Sequence, residues 1–142
     1  MKIVGIKKIK KKIIKNKKGD ILKFFTNKDF FYKKFGEIYF SEIKKNKIKG
    51  WNFHKKNTCL FTVPSGKVEF FFIDGRKKSK SYLAEQRIVV DKKNYFIILL
   101  PPKIWFSFKS FTKLSVIANC IEIPHSEKET KKRETFKGYK IS

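Results

Sequence analysis

The chain has 142 residues, which suits one domain, and 41% of them are hydrophobic, including 16 phenylalanines. A chain with this content can bury a core, so the formal charge of +24 at pH 7 does not make it a disordered polycation. It has neither an apolar run of the roughly 20 residues that span a membrane nor a secretory signal at its N-terminus, which predicts a cytoplasmic protein without a membrane span.

The predicted elements begin with a lysine-rich arm over about residues 1–18, which ends at the turn signal Gly19-Asp20. Most of the remaining chain consists of short segments with alternating polarity or with dense aromatic and β-branched residues, both of which are typical of strands. The predicted strands are 35–43, 51–54, 58–63, 67–73, 87–90, 95–100, 104–108 and 114–123. An irregular tail over about residues 124–142 completes the single domain, which spans 1–142.

Turn signals separate these strands at short intervals, as at Pro64-Ser65-Gly66, Asp74-Gly75 and Pro101-Pro102. No internal segment shows a convincing helical stripe, so the pattern predicts an all-β sandwich or barrel. About half of the large apolar residues in alternating strands face the interior. The candidate barrel residues are Trp51, Phe53, Leu60, Phe70, Phe72, Ile97, Leu99, Trp105 and Phe108.

Two explanations fit the strong positive charge. A basic surface could bind phosphate groups, either in a nucleic acid or in a phosphorylated ligand. Alternatively, lysine is used heavily along the whole chain, as AT-rich coding sequences produce. Arginine, which nucleic-acid-binding surfaces use for bidentate contacts, occurs only at Arg76, Arg87 and Arg133. The composition therefore favours a general lysine bias, and we expect no nucleic-acid partner.

The sequence predicts neither a metal ion nor a cofactor. His54 is followed by no carboxylate before Glu69, and one histidine without carboxylates cannot hold a metal ion tightly. Cys59 and Cys120 could form a disulfide, but two cysteines in a chain without an export signal are expected to be reduced. Cys59 also lies within a predicted strand, where cysteine is usually a small buried hydrophobe.

General acid–base chemistry remains, and His54 is its candidate. It is the only histidine inside the predicted barrel, because His125 lies in the tail. A histidine suits proton transfer near neutral pH. The alternative, that His54 lies at a strand edge and only bonds a backbone group, stays open on these grounds.

Five segments carry a resemblance to a known family. In chain order they are FGEIYFSEI, KIKGWNFHKKNT, VPSGKVEFFFIDGR, LLPPKIWFSF and NCIEIPHSEKE. From about Gly19 to Glu129 the chain resembles a short, divergent branch of the dTDP-4-dehydrorhamnose 3,5-epimerases, which are cupins. KGWNFHKK is also similar, more distantly, to the Arg-Gly-x-His-Ala-His-Lys segment of the nucleotide-sugar 3,4-ketoisomerases. The resemblance implies a cupin-type jelly roll, or double-stranded β-barrel, that forms a homodimer and binds a dTDP-hexulose.

The family's site residues are only partly present in this chain. Lys49-Gly50 stands where the family has Arg-Gly, and the position of the catalytic base is Asn52, which cannot abstract a carbon-bound proton at neutral pH. His54 comes two residues later and therefore faces the same side of the strand. Asp74-Gly75-Arg76 keeps the family's Asp-x-Arg.

Two further family positions are not kept. Phe106 replaces a histidine, although Pro102 and Phe108 remain in the same block. The tyrosine that donates a proton in the family has no clear equivalent, and Tyr82, Tyr95 and Tyr139 are stand-ins without positional support.

The resulting hypothesis is an epimerase-type cupin that acts on a nucleotide-linked 4-keto-6-deoxy sugar in surface-polysaccharide synthesis. His54 is its predicted acid–base group. Lys49 and Arg76 are predicted to hold phosphate or the enolate oxygen, Asn52 to orient the ketone, and Asp74 to belong to the substrate-binding set. The alternatives are a non-catalytic sugar-nucleotide-binding cupin, a sugar 3,4-ketoisomerase and, more distantly, a basic nucleic-acid-binding barrel.

Overall fold

The computed structural model describes residues 2–136 and 139–140, with side chains for residues 2–134. The described residues form strands and turns but no helix, so none of them forms a helix that could cross a membrane. The strands are β1 Lys7–Lys10, β2 Ile13–Ile14, β3 Ile21–Leu22, β4 Glu37–Lys44, β5 Ile48–His54, β6 Cys59–Ser65, β7 Val68–Asp74, β8 Glu85–Val90, β9 Phe96–Leu100, β10 Ile104–Ser110, β11 Leu114–Ile121, β12 Thr130–Lys132, β13 Thr135–Phe136 and β14 Tyr139–Lys140. The predicted all-β class and most of the predicted strands are confirmed.

Two antiparallel five-stranded sheets form the body of the described residues, beside two two-stranded sheets, β2-β3 and β13-β14. The first sheet has the order β1-β9-β6-β11-β4, and the second has the order β12-β5-β10-β7-β8. Neighbouring strands within each sheet are mostly distant in sequence, as a jelly roll requires. The cupin-type jelly roll that the resemblance implies is therefore confirmed.

The main core lies between the two sheets and is rich in phenylalanine. Phe70, Phe72 and Phe108 belong to it, together with Phe61 and Phe106 from neighbouring strands. Each fully buried phenylalanine contributes on the order of 2 kcal/mol through removal of its surface from water. This core sets the separation of the two sheets.

The other candidate barrel residues face outward, because side chains alternate across a strand. Trp51, Phe53 and Trp105 pack with Ile73 on the outer face of the second sheet. Leu60, Ile97 and Leu99 pack on the outer face of the first sheet, where Phe24, Phe25 and Phe31 cover them. Both outer faces thus carry apolar clusters of their own, which the sequence alone did not separate from the interior.

The arm and the tail both add strands to the sheets. β1, from the lysine-rich arm, pairs with β9 in register Lys7↔Leu99. β12 pairs with β5 in register Thr130↔His54, so the predicted irregular tail is in part a strand of the second sheet. The expectation of reduced cysteines is confirmed, since Cys59 and Cys120 are free thiols that pack in clusters on opposite faces of the first sheet.

Candidate active site

A cavity of about 460 Å³ lies between the two sheets, and both sheets line it. The first sheet contributes Tyr39, Ser41, Phe61, Ile117 and Asn119. The second sheet contributes Ile48, Lys49, Gly50, Asn52, His54, Phe106, Phe108, Thr130 and Lys132, and His125 precedes β12 in the chain. The cavity therefore brings polar and cationic groups together against aromatic side chains, within the size range of small-molecule sites.

His54 is buried in the wall of this cavity and is held by the tail. Its Nδ1 lies 2.8 Å from Glu129 Oε2 and 3.3 Å from Thr130 Oγ1. The residue is 4% exposed, and its ring stacks on Phe106 with 5.7 Å between ring centroids. The pairing of β12 with β5 brings Glu129 to this position, because Thr130 lies directly opposite His54.

The carboxylate of Glu129 is held on its other side by backbone amides. Lys56 N and Asn57 N donate to Oε1 over 2.6 and 2.8 Å. The Asn57 side chain in turn donates to Ile123 O and accepts from Ile123 N, which fixes the start of the tail. Burial raises the pKa of Glu129, but the two backbone hydrogen bonds and the contact with His54 outweigh it, so the pKa falls below 4.5.

This arrangement determines which nitrogen of His54 can accept a proton. An ionised carboxylate is only an acceptor, so Nδ1 must carry hydrogen and donate it to Glu129. Nε2 then carries the lone pair, and it makes no hydrogen bond to any residue that the structure describes. His54 is thus arranged to accept a proton at Nε2 from a group in the cavity.

Two lysines and an amide lie near His54 on the same wall. Lys49 and Asn52, two of the predicted site residues, line the cavity, and Lys132 lies on β12 opposite Asn52. Lys49 Nζ donates to the backbone carbonyl of Glu42 over 3.1 Å, which holds its ammonium group between β5 and β4. The wall around His54 therefore carries positive charge.

A tyrosine lies on the wall formed by the first sheet. Tyr39, on β4, accepts a hydrogen bond at its hydroxyl from Asn119 Nδ2 on β11, over 2.9 Å. The two residues are direct partners in the β4–β11 ladder. Neither Tyr39 nor Asn119 was predicted from the sequence as a site residue.

The comparisons with known proteins agree with this architecture. The family model described as dTDP-4-dehydrorhamnose 3,5-epimerase matches residues 1–134. The chain belongs to this family. The resemblance seen in the sequence is therefore confirmed, whereas no curated protein gives a significant match.

Solved structures support the same fold. A dTDP sugar isomerase from Desulfovibrio desulfuricans is 29% identical, with a TM-score of 0.90 over 92% of this chain and 85% of that chain. A dTDP-4-dehydrorhamnose 3,5-epimerase from Bacillus anthracis, with TDP and PPi bound, is 16% identical, with a TM-score of 0.82 over 92% and 82%. The enzyme of that name from Sulfolobus tokodaii is 21% identical, with a TM-score of 0.82 over 91% and 77%.

The structure of this family member does not bring Asp74 and Arg76 into the cavity with His54. Asp74 is fully buried at the end of β7, and β10 separates β7 from β5. Its carboxylate accepts hydrogen bonds from Arg76 Nε over 2.8 Å and from Ser81 Oγ over 2.6 Å. Arg76 and Ser81 also bind the backbone of Val4. In this structure Asp74 and Arg76 anchor the N-terminal segment and do not line the cavity of His54, and their predicted substrate-binding role stays a prediction.

The remaining site residues were missed for two reasons. Three of them, Glu129, Thr130 and Lys132, lie in the C-terminal segment that the sequence predicts to be irregular. The family resemblance gave a signal for this segment, because it includes PHSEKE, which ends at Glu129. Tyr39 lies in a correctly predicted strand, but alternation does not reveal which face of an edge strand borders a cavity. Its partner Asn119 is distant in sequence and is placed beside it only by the β4–β11 pairing.

Proposed function

We propose that the protein is an epimerase of a nucleotide-linked 4-keto-6-deoxy sugar, with His54 as the base. The observation that carries this proposal is the buried pair of His54 and Glu129 in the cavity wall, in a member of the dTDP-4-dehydrorhamnose 3,5-epimerase family. His54 takes the role that the family assigns to the position of Asn52. By strand alternation both side chains lie on the cavity face of β5.

The chemistry is proton transfer next to a ketone. His54 Nε2 removes a proton from the carbon beside the carbonyl. The electron pair of that C–H bond forms a C=C bond to the carbonyl carbon, and the π pair of the C=O bond moves onto the oxygen to form an enolate. Lys49 and Lys132 supply positive charge to the enolate oxygen or to the diphosphate, and Asn52 orients the ketone. Return of a proton to the carbon from its opposite face gives the epimer.

A diphosphate group on the substrate gives the positive charge of the protein a role in ligand binding. With a formal net charge of +24, the surface attracts an anionic ligand toward the cavity at long range. The relative from Bacillus anthracis is described with TDP and PPi bound, which supports a nucleotide diphosphate as the class of ligand.

Deuterium exchange tests the proposal directly. The protein is incubated with dTDP-4-keto-6-deoxyglucose in heavy water, and deuterium at C3 and C5 is followed by NMR. We expect incorporation by the native protein and a fall of about 100-fold or more for His54→Asn, with the fold of the variant checked by thermal unfolding. Native exchange no faster than that of His54→Asn would end the epimerase proposal.

A sugar 3,4-ketoisomerase is the second candidate, and one observation favours it. The histidine of this site is residue 54, which matches the second histidine of the ketoisomerase segment rather than the base position of the epimerases. The same incubation separates the two reactions, because a ketoisomerase moves the carbonyl from C4 to C3. The 13C spectrum of the product reports the position of the carbonyl.

Two binding functions without turnover are further outcomes of these measurements. Calorimetric binding of the dTDP-sugar without exchange would indicate a sugar-nucleotide-binding cupin. Oligonucleotide affinity that falls steeply with salt would indicate a nucleic-acid-binding barrel. We expect the protein to bind the sugar nucleotide, and we expect no steep fall of oligonucleotide affinity with salt.

We further propose that the protein is a homodimer that works in the cytoplasm, in surface-polysaccharide synthesis. Support for association comes from β4, an edge strand of the first sheet, where Phe40 is 67% exposed and Ile38 is 42% exposed. Apolar side chains on an edge strand favour burial against another chain. Sedimentation of Phe40→Glu beside the native protein tests this, and we expect dissociation to monomers.

A further inference from the structure

We propose that Tyr39 is the proton donor of this protein, acting from the wall opposite His54. The inference rests on the proposed function and adds the group that the resemblance left without an equivalent. Tyr39 lines the same cavity as His54, but it belongs to β4 in the first sheet, whereas His54 belongs to β5 in the second.

The hydrogen bond to Asn119 leaves the Tyr39 hydroxyl free to donate. Asn119 Nδ2 donates to the hydroxyl oxygen, so this contact uses a lone pair and not the hydroxyl hydrogen. The hydroxyl makes no other hydrogen bond to the residues that the structure describes. Its hydrogen is therefore available to a substrate atom in the cavity.

The electrostatics keep Tyr39 protonated until a strong base appears. Burial, reinforced by the nearby Cys59 thiol, raises the pKa of Tyr39 to about 12, although the Asn119 hydrogen bond lowers it. The phenol therefore holds its proton at neutral pH and gives it to a basic carbon such as that of an enolate. The amide of Asn119 then donates to the phenolate that remains.

The other tyrosines considered from the sequence do not meet these conditions. Tyr95 donates its hydroxyl hydrogen to Lys23 O over 2.8 Å, and Tyr82 is an exposed residue of the loop after β7. Neither lines the cavity of His54. The side chain of Tyr139 lies outside the described residues.

Placement on opposite walls also selects between the two candidate reactions. A sugar ring between the sheets presents one face to His54 and the other to Tyr39. A proton removed by His54 and replaced by Tyr39 inverts the carbon, which is epimerisation. The proton balance closes because His54 gains a proton and Tyr39 loses one, and both return to their starting states by exchange with water.

The test compares inversion with exchange in one reaction. Tyr39→Phe is incubated with dTDP-4-keto-6-deoxyglucose in heavy water, and the ratio of epimerised to deuterated carbon is measured. His54 can still remove a proton and return a deuteron on the same face, so we expect exchange to persist while the ratio falls at least about 10-fold. Tyr95→Phe is the matched control, because it deletes a buried tyrosine hydroxyl outside the cavity, and it should keep the native ratio.

The outcomes separate the two proposals. Absence of exchange in the native protein overturns the proposed function, whereas native exchange with an unchanged ratio in Tyr39→Phe overturns the role of Tyr39. If the Tyr39→Phe variant does not fold, a variant with fluorotyrosine at position 39 is used instead. Fluorotyrosine keeps the ring and the hydroxyl group of tyrosine, but its hydroxyl is more acidic. The ratio should then fall at a lower pH than in the native protein, and a ratio independent of pH overturns the inference.

Discussion

Replacement of Glu129 by glutamine tests the central feature of the site, which is the tautomer of His54. The amide oxygen of glutamine can still accept from Lys56 N and Asn57 N, which now donate over 2.6 and 2.8 Å. Its NH₂ group would then face Nδ1 of His54, which must become an acceptor and move its hydrogen to Nε2. The ring then presents a donor to the substrate and cannot act as the base.

The expected effect is larger on activity than on stability. One charge-assisted hydrogen bond to His54 is lost, so unfolding free energy should fall by about 1.5–3 kcal/mol at pH 7. The exchange rate should fall by about 100-fold to 10,000-fold, the range attributed to a positioned general base. Urea unfolding gives the first quantity, and deuterium incorporation per folded protein gives the second.

The stability difference should depend on pH in a defined direction. The pKa of Glu129 is lowered in the folded state, so its ionised form stabilises the protein at pH values above 4.5. As pH falls below 4.5 and through the lowered pKa, this contribution is lost and the native protein and Glu129→Gln should converge in stability. A gap that widens on acidification would contradict the hydrogen-bonding scheme.

Glu127→Gln is the matched control, since it makes the same change two residues earlier at an exposed side chain. It should alter unfolding free energy by less than about 0.5 kcal/mol and leave exchange unchanged. Nitrogen NMR of His54 gives an independent check of the tautomer. A folded Glu129→Gln protein that exchanges at the native rate, or that keeps hydrogen on Nδ1, would refute the reasoning.

Three other variants test the remaining assignments. Asp74→Asn should lower the unfolding free energy by about 2 kcal/mol at pH 7, and this effect fades as pH falls from 3.8 toward about 2. The rate of deuterium exchange per folded protein should equal that of the native protein. A raised KM for the dTDP-sugar would instead assign Asp74 to substrate binding. Gly50→Ala should destabilise the fold more than Gly19→Ala in urea unfolding, because both have positive φ but only at Gly50 would a Cβ lie 2.7 Å from a backbone oxygen. Lys49→Gln should weaken dTDP-sugar binding about 10-fold in calorimetry at low salt, and an affinity equal to that of the exposed control Lys47→Gln would exclude Lys49 from the binding wall.

Local patterns in the sequence were sufficient for the strands and for part of the site. Alternation and turn residues depend on neighbours within a few positions, so β4 to β11 were predicted close to their observed bounds. Lys49, Asn52 and His54 lie on one strand, and β5 places all three at the cavity. Asp74 and Arg76 were grouped with them because Asp74-Gly75-Arg76 keeps the family's Asp-x-Arg, but the strand that they follow lies two positions away from β5 in the sheet.

By itself, the sequence determined the all-β class, the family and the presence of a histidine suited to proton transfer, because composition, strand periodicity and the order of motifs are local properties of the chain. Only the tertiary structure decided what that histidine can do. Glu129 reaches His54 from 75 positions away, and Asn119 reaches Tyr39 from 80. Such contacts arise from strand pairing and from the packing of one sheet on the other, which no short segment encodes, and they place His54 and Tyr39 in the lining of one cavity.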